Sequence, residues 1–160
     1  MIKNINMGLS QSILKVNFET IQNLIKNNTN SLNNLYYKNN NIYLINTLNN
    51  NEQNCLISST IPYNEEENLI NKIINNGNQK EIIIILYGKN SNDNSLYNKY
   101  NQLINLGFSN SNVYIYLGGL FEWLLLQDIY GYDLFPTTSK ELDLLKYKSN
   151  QLLNISLLEY

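Results

Sequence analysis

The sequence predicts an α/β domain of three layers, with a small central parallel sheet flanked by helices. Three observations carry this. Residues 82–87 (Ile82-Ile83-Ile84-Ile85-Leu86-Tyr87) run apolar and mostly β-branched without alternation, as a strand buried on both faces requires. A polar loop and a helical pattern follow it, and the same order of strand, turn and helix recurs after residue 113. The 160 residues fit one domain, long enough to bury a core.

The elements follow in order. Asn17 can cap a helix, and Phe18, Ile21, Leu24 and Ile25 come after it at helical spacing. Residues 41–47 read as a strand, and residues 55–61 as a second short extended piece ending at Pro62. Asn64 is read as the next cap, because Glu65, Glu66 and Glu67 suit the positive end of a helix dipole. Leu69, Ile70, Ile73 and Ile74 then form one stripe, which Gly77 ends. Beyond the strand at 82–87, a loop leads into a helix over about 95–106 with Leu96, Tyr100, Leu103 and Ile104 on one side. Gly107 terminates it, and residues 113–117 read as a strand. Gly118-Gly119 turns into a helix over 120–130, apolar nearly all round and so expected to be mostly buried, with Gly131 at its end. Thr138 and Glu141 have capping-box spacing for a last short helix. Residues 27–40 and 48–54 read as mobile connections. The organisation expected is an N-terminal extension over 1–16, a domain over 17–135, and a capping helix and tail over 136–160.

Composition excludes much chemistry. The chain has 33 Asn, 26 Leu, 20 Ile and 13 Tyr, but no Ala, no Arg, no His and one Cys. Without His there is no Ser-His-Asp or Cys-His dyad and no His-ligated metal. One Cys gives neither an internal disulfide nor a Cys-rich zinc site, so neither metal nor cofactor is expected. Without Arg there is no bidentate guanidinium grip on phosphate or guanine. Eleven Lys against thirteen acidic residues leave a net charge of −2 and no basic patch, so nucleic acid is not an expected partner.

No apolar run approaches the ~20 residues of a membrane span. The N-terminus lacks the apolar stretch of a secretory leader, and a single Cys suits a reducing compartment, so a cytoplasmic location is expected. Residues 7–12 fit the myristoylation pattern, with Gly8 as acceptor, on the condition that translation starts at Met7. All but two Asn lie within residues 1–112, and residues 113–149 contain none. Asn, Lys, Ile and Tyr share A/T-rich codons, so the enrichment reads as drift across tolerant surface. The Asn-free window is where drift has been least tolerated.

Residues 81–123 carry a more specific pattern. A buried strand, an exposed loop and a helix ending in Leu106-Gly107-Phe108 are followed by Asn112-Val113-Tyr114 and then by Gly118-Gly119 with Trp123 four residues on. This order resembles the C-terminal half of a rhodanese-like domain, whose pattern is strand, Cys-headed loop, helix, L-G-F, N-V-Y and G-G-x-x-x-W. The first half is similar more loosely, through Ile45-Asn46-Thr47 and residues 56–61, and the resemblance covers about residues 17–130. It implies a rhodanese-like three-layer fold. It also implies a loop that in active members opens with a nucleophilic Cys and, in the related phosphatases, carries both Cys and Arg.

This chain departs at that loop, Gly88-Lys89-Asn90-Ser91-Asn92-Asp93-Asn94-Ser95. Alignment on Tyr87 places Gly88 at the nucleophile position, and counting back from Gly107 places Asn90 there. Neither is a thiol, and sulfur transfer needs a thiolate. Cys55 lies before the second extended piece and reads as a small buried apolar residue. Ser91 or Ser95 with Lys89 as base is the remaining nucleophile arrangement. Backbone amides before a helix, with Lys89, make residues 88–95 a candidate anion site for sulfate or phosphate.

In the Asn-free window Trp123, Phe121, Leu124, Leu125 and Ile129 read as core. Glu122, Gln127, Asp128 and Tyr130 need polar partners or solvent. Tyr132, Leu134 and Phe135 form a candidate partner surface. The apolar tail over 152–160 suggests packing back on the domain or homo-oligomer formation. The functional expectation is a non-catalytic rhodanese-like module that binds protein or regulates. The alternative is an enzyme, sulfurtransferase- or phosphatase-related, using the retained loop by another mechanism.

Overall fold

The computed structural model describes residues 12–29 and 41–150. Four strands, β1 (Leu14–Val16), β2 (Ile42–Asn46), β3 (Ile83–Tyr87) and β4 (Val113–Tyr116), form one sheet in the order β1-β4-β3-β2. Every pairing is parallel. Four helices, α1 (Phe18–Thr29), α2 (Tyr63–Asn75), α3 (Asn94–Asn105) and α4 (Gly119–Tyr130), alternate with the strands. The expected α/β class with a parallel sheet is what the protein forms.

The strand order decides which helix covers which face. The steps from β2 to β3 and from β3 to β4 run one way across the sheet, and the step from β1 to β2 runs the other way. Crossovers share one hand, so α2 and α3 share a face and α1 takes the opposite one. The packing agrees. Ile70, Ile73, Leu96 and Leu103 meet Ile84 and Ile115 in one cluster. Ile21, Leu24, Trp123 and Leu124 meet Tyr87 and Tyr116 in the other.

Several boundaries differ from expectation. Leu14–Val16, placed by sequence in an extension, is a sheet strand paired with β4, and its three residues are too few to show a period. Residues 55–61 are not a strand. Ser59 sits at φ +68, which turns the backbone and leaves only isolated bridges from Thr60 to Leu44 and from Ile57 to Thr137. Pro62, not Asn64, precedes α2, and its carbonyl accepts from the amides of Glu65 and Glu66. Residues 48–54 are fastened. Asn46 and Gln53 exchange side-chain hydrogen bonds of 3.1 and 2.9 Å, and Asn46 Oδ1 also accepts from the Leu48 amide.

Helix α4 is half-buried rather than mostly buried. Leu120, Trp123 and Leu124 face the core, while Ile129 and Tyr130 are 69% and 61% exposed. Thr138 does not start a helix, because its hydroxyl is taken by the Leu56 amide. The last turn is a 3-10 helix over Leu144–Tyr147, and Glu141 accepts from the Asp143 amide just before it. Of the expected mobile residues 27–40, the first three continue helix α1 to Thr29, and 30–40, the Gly8 acceptor and the tail over 152–160 lie outside the described residues.

Candidate functional site

The site predicted by sequence sits at the carboxyl end of β3, where ligands of open parallel sheets commonly bind. Residues 88–95 leave the strand there and feed α3. Helix α4 begins against this loop: the amides of Leu120 and Phe121 donate to the carbonyls of Gly88 and Lys89 at 2.9 and 2.8 Å. Gly119 makes that approach. It sits at φ +65, and a Cβ on it would lie 2.6 Å from the Gly88 oxygen and 2.9 Å from the Asn90 nitrogen. The loop and the Gly118-Gly119 turn are therefore one structural unit.

The loop turns inward on itself. Asp93 caps α3, and its carboxylate accepts from the Lys89 amide (2.9 Å), the Ser95 amide (3.0 Å) and the Ser95 hydroxyl (2.6 Å). Asn90 is buried, donating to the Tyr147 carbonyl at 2.9 Å and accepting from the Asn92 amide at 3.0 Å. Lys89 is bound in an ion pair of 2.6 Å with Glu52. Three of the loop amides assigned by sequence to an anion, those of Lys89, Asn92 and Ser95, thus bond to the protein's own Asp93 and Asn90, and the Lys89 cation pairs with Glu52. The reason is local: an acidic residue at the cap position fills the place an anion would take.

Ser91, Asn92 and Asn94 lie exposed on the outer side of the loop. Ser95 Oγ also lies 2.8 Å from Thr47 Oγ1, and both residues border a cleft of about 860 Å³ between α2 and α3. A Glu66–Lys99 ion pair crosses that cleft.

The motif residues have structural tasks. Gly107, at φ +95, ends α3 and lets the Phe108 amide reach the Leu103 carbonyl, burying Phe108. The Asn112 side chain donates to the Lys80 carbonyl, and its backbone carbonyl accepts from the Ile84 amide, which sets β4 beside β3. Val113 and Tyr114 then point to opposite faces. Gly118 faces the Glu122 carboxylate, which leaves no room for a larger residue without displacing it. Trp123 is fully buried, donates to the Pro136 carbonyl at 3.2 Å, and packs edge-on against Tyr116 and Phe135.

Of the candidate partner surface, Tyr132 and Leu134 are exposed. Phe135 is not: it is 3% exposed and wedged against Trp123 and Phe18. The turn that follows Gly131, where the Phe135 amide donates to the Gly131 carbonyl, brings it inward. Leu125 and Ile129, read from sequence as core, are exposed, because an all-apolar helix hides which side faces out, whereas Tyr130, read as needing polar partners or solvent, is exposed as expected.

Cys55 is buried, its thiol donates to the Ser139 carbonyl, and burial pushes its pKa up, away from thiolate. Tyr87 was also missed. Its buried hydroxyl accepts from the Ile57 amide at 3.2 Å and bonds Thr60 at 2.9 Å, fixing residues 55–61 under the loop. Tyr116 is buried too, and its hydroxyl has no hydrogen-bond partner among the described residues. Burial and the nearby Glu122 carboxylate both push this phenol far above its ordinary pKa.

Fold and loop define an α/β domain with a closed loop at the carboxyl end of its central strand. No family model matches the sequence, and no curated protein matches it. A solved structure, the BH2092 protein of Bacillus halodurans, is similar at 18% identity and a TM-score of 0.49, covering 74% of each of the two proteins. Among the described residues, no helix is long and apolar enough to cross a membrane.

Proposed function

We propose that this protein is a catalytically inactive rhodanese-like module that works by binding another protein. One observation carries the reading: the loop at the end of the central strand has no thiol, and its own Asp93 and Asn90, with Glu52, take up three of its amides and its one cation. Sulfur transfer and phosphate-ester hydrolysis of this family's kind both need a thiolate in that loop. The ordered motifs support the family reading, and the packing of Gly119 on Gly88 and Asn90 gives a physical reason for the glycine pair.

The face for a partner is the exposed end of α4 and the turn after it, with Ile129, Tyr130, Tyr132 and Leu134. A cytoplasmic location belongs to the same reading.

The test is a thiosulfate–cyanide sulfurtransferase assay on the full-length protein. No turnover above buffer is expected. Appreciable turnover that survives Cys55→Ser sinks the proposal. Affinity capture compared with a Tyr132→Ser/Leu134→Ser variant addresses the binding half: the same proteins recovered with both forms would remove this face.

One observation favours a second reading, an enzyme of unorthodox mechanism. The Ser95 hydroxyl is held by Asp93 and borders the cleft between α2 and α3. Hydrolysis of a generic phenyl ester or phosphate that disappears in Ser95→Ala would promote it. It ranks second because two backbone amides already occupy the Asp93 carboxylate.

A further inference from the structure

We propose that Asn76 is a site of spontaneous covalent change, converting to aspartate and isoaspartate through a succinimide. The chemistry needs a backbone amide nitrogen that can reach the side chain of the preceding Asn. Any side chain on the following residue hinders that approach. Among 33 Asn, only Asn76 is followed by Gly.

The structure places this pair at the end of α2, in the turn that leads to β3. Asn76 and Gly77 are both exposed. Gly77 sits at φ +69, and nothing lies within 4 Å of where its Cβ would be. No neighbouring group packs against the glycine.

The gate is a hydrogen bond. The Gly77 amide donates to the Ile74 carbonyl at 3.0 Å, so the last turn of α2 must open before the nitrogen is free. Helix ends open at low free energy. Hydroxide then removes the Gly77 amide proton, and the nitrogen attacks Asn76 Cγ. A new bond forms from the Gly77 nitrogen to Cγ, the bond from Cγ to Nδ2 breaks, and ammonia leaves. Water opens the five-membered ring at either carbonyl. The net change is addition of water and loss of ammonia, with no redox partner.

The product disturbs the turn into β3. A carboxylate appears at the negative end of α2, where it is unfavourable. The isoaspartyl form also lengthens the backbone by one carbon. That misplaces the Gly77–Ile74 bond and the bond from the Asn78 amide to the Ile73 carbonyl. The Asn78 carbonyl in turn holds the amides of Glu81 and Ile82 at the entry to β3.

The test uses the full-length protein, aged folded at mildly acid and mildly alkaline pH and then cleaved after lysine. Peptide 73–80 contains Asn75, Asn76 and Asn78. The expected result is replacement of NH2 by OH at Asn76 ahead of every other Asn, faster at the higher pH. Labelling by an isoaspartyl methyltransferase should be lost in Asn76→Gln. Conversion spread evenly over other exposed Asn overturns the proposal. So does a folded protein that stays intact at Asn76 while the same protein in denaturant converts there. Aged protein should also melt below fresh protein, and equal melting would remove the claimed effect on the turn.

Discussion

The two faces of the sheet are built on different principles. Under α2 and α3 the core is mainly aliphatic, with Ile73, Ile84, Leu86, Leu103 and Ile115 together and the aromatics Tyr100 and Phe108 beside them. Under α1 and α4 it is richer in aromatics, with Tyr87, Tyr116, Trp123, Phe135 and Tyr147 set among aliphatics such as Ile21, Leu24 and Ile57. Two of these aromatic side chains also bind backbone: Tyr87 accepts from the Ile57 amide and Trp123 donates to the Pro136 carbonyl, while the main-chain carbonyl of Tyr147 holds Asn90. The aliphatic face is non-directional, so any well-shaped hydrocarbon fills it. The aromatic side chains are directional, and they fasten residues 57–60 and the turn at Pro136. The candidate site stands on that second face. The difference teaches that the loop's closed state depends on that face through the backbone of Tyr147 and of the start of α4 as much as on the loop's own residues.

Substitutions can break or sharpen this contrast. Trp123→Ala should have the largest effect, about 3–5 kcal/mol of lost stability from cavity formation. Leu103→Met on the aliphatic face, by comparison, should stay below about 1.5 kcal/mol. Urea unfolding of both variants checks the ratio, and equal losses would refute the contrast. Gly119→Ala comes next. A left-handed backbone costs a non-glycine residue about 1–2 kcal/mol, and overpacking adds about 1–3 kcal/mol. Amide hydrogen exchange should show the loop over 88–95 loosened while α2 and β2 keep their protection.

Tyr87→Phe follows Gly119→Ala, leaving the Ile57 amide unpaired at a cost of roughly 1–3 kcal/mol. It also has a pH signature. Burial holds the Tyr87 phenol protonated far above its ordinary value. That stability is fully present below about pH 10, where the unfolded phenol is still neutral. It is lost as pH rises through the elevated folded value, because the unfolded state ionises first. Stability against pH should therefore fall above about pH 10, and less steeply in Tyr87→Phe. Tyrosinate absorbance across an alkaline titration checks it; identical slopes would refute the assignment.

Much of the aliphatic face was legible from residue order. The run at 82–87 and the stripe Leu69, Ile70, Ile73 and Ile74 have the two patterns that distinguish a strand from a helix. Gly77, Gly107 and Gly131 end helices in the structure as read, because each sits at positive φ. The aromatic face was less legible. Tyr, Trp and Phe look alike in a hydrophobicity pattern, and nothing in residue order shows that Phe135 turns in while Tyr132 stays out. The position of the candidate loop was readable, but its closure was not. Asp93 reads from sequence as an acid at the rim that opposes an anion, but only the structure sets its carboxylate between Lys89 and Ser95. Lys89 reads as a free cation until Glu52, far away in sequence, is found beside it.

By itself the sequence determined the α/β class, the location of the central strand and the missing thiol, because these depend on residue type and on spacing within one element. Tertiary structure alone decided which groups occupy the loop, which side of α4 faces out and where β1 joins. Those outcomes depend on contacts between segments up to about a hundred residues apart, such as Leu14 with Tyr114, and short-range patterns carry no record of such contacts.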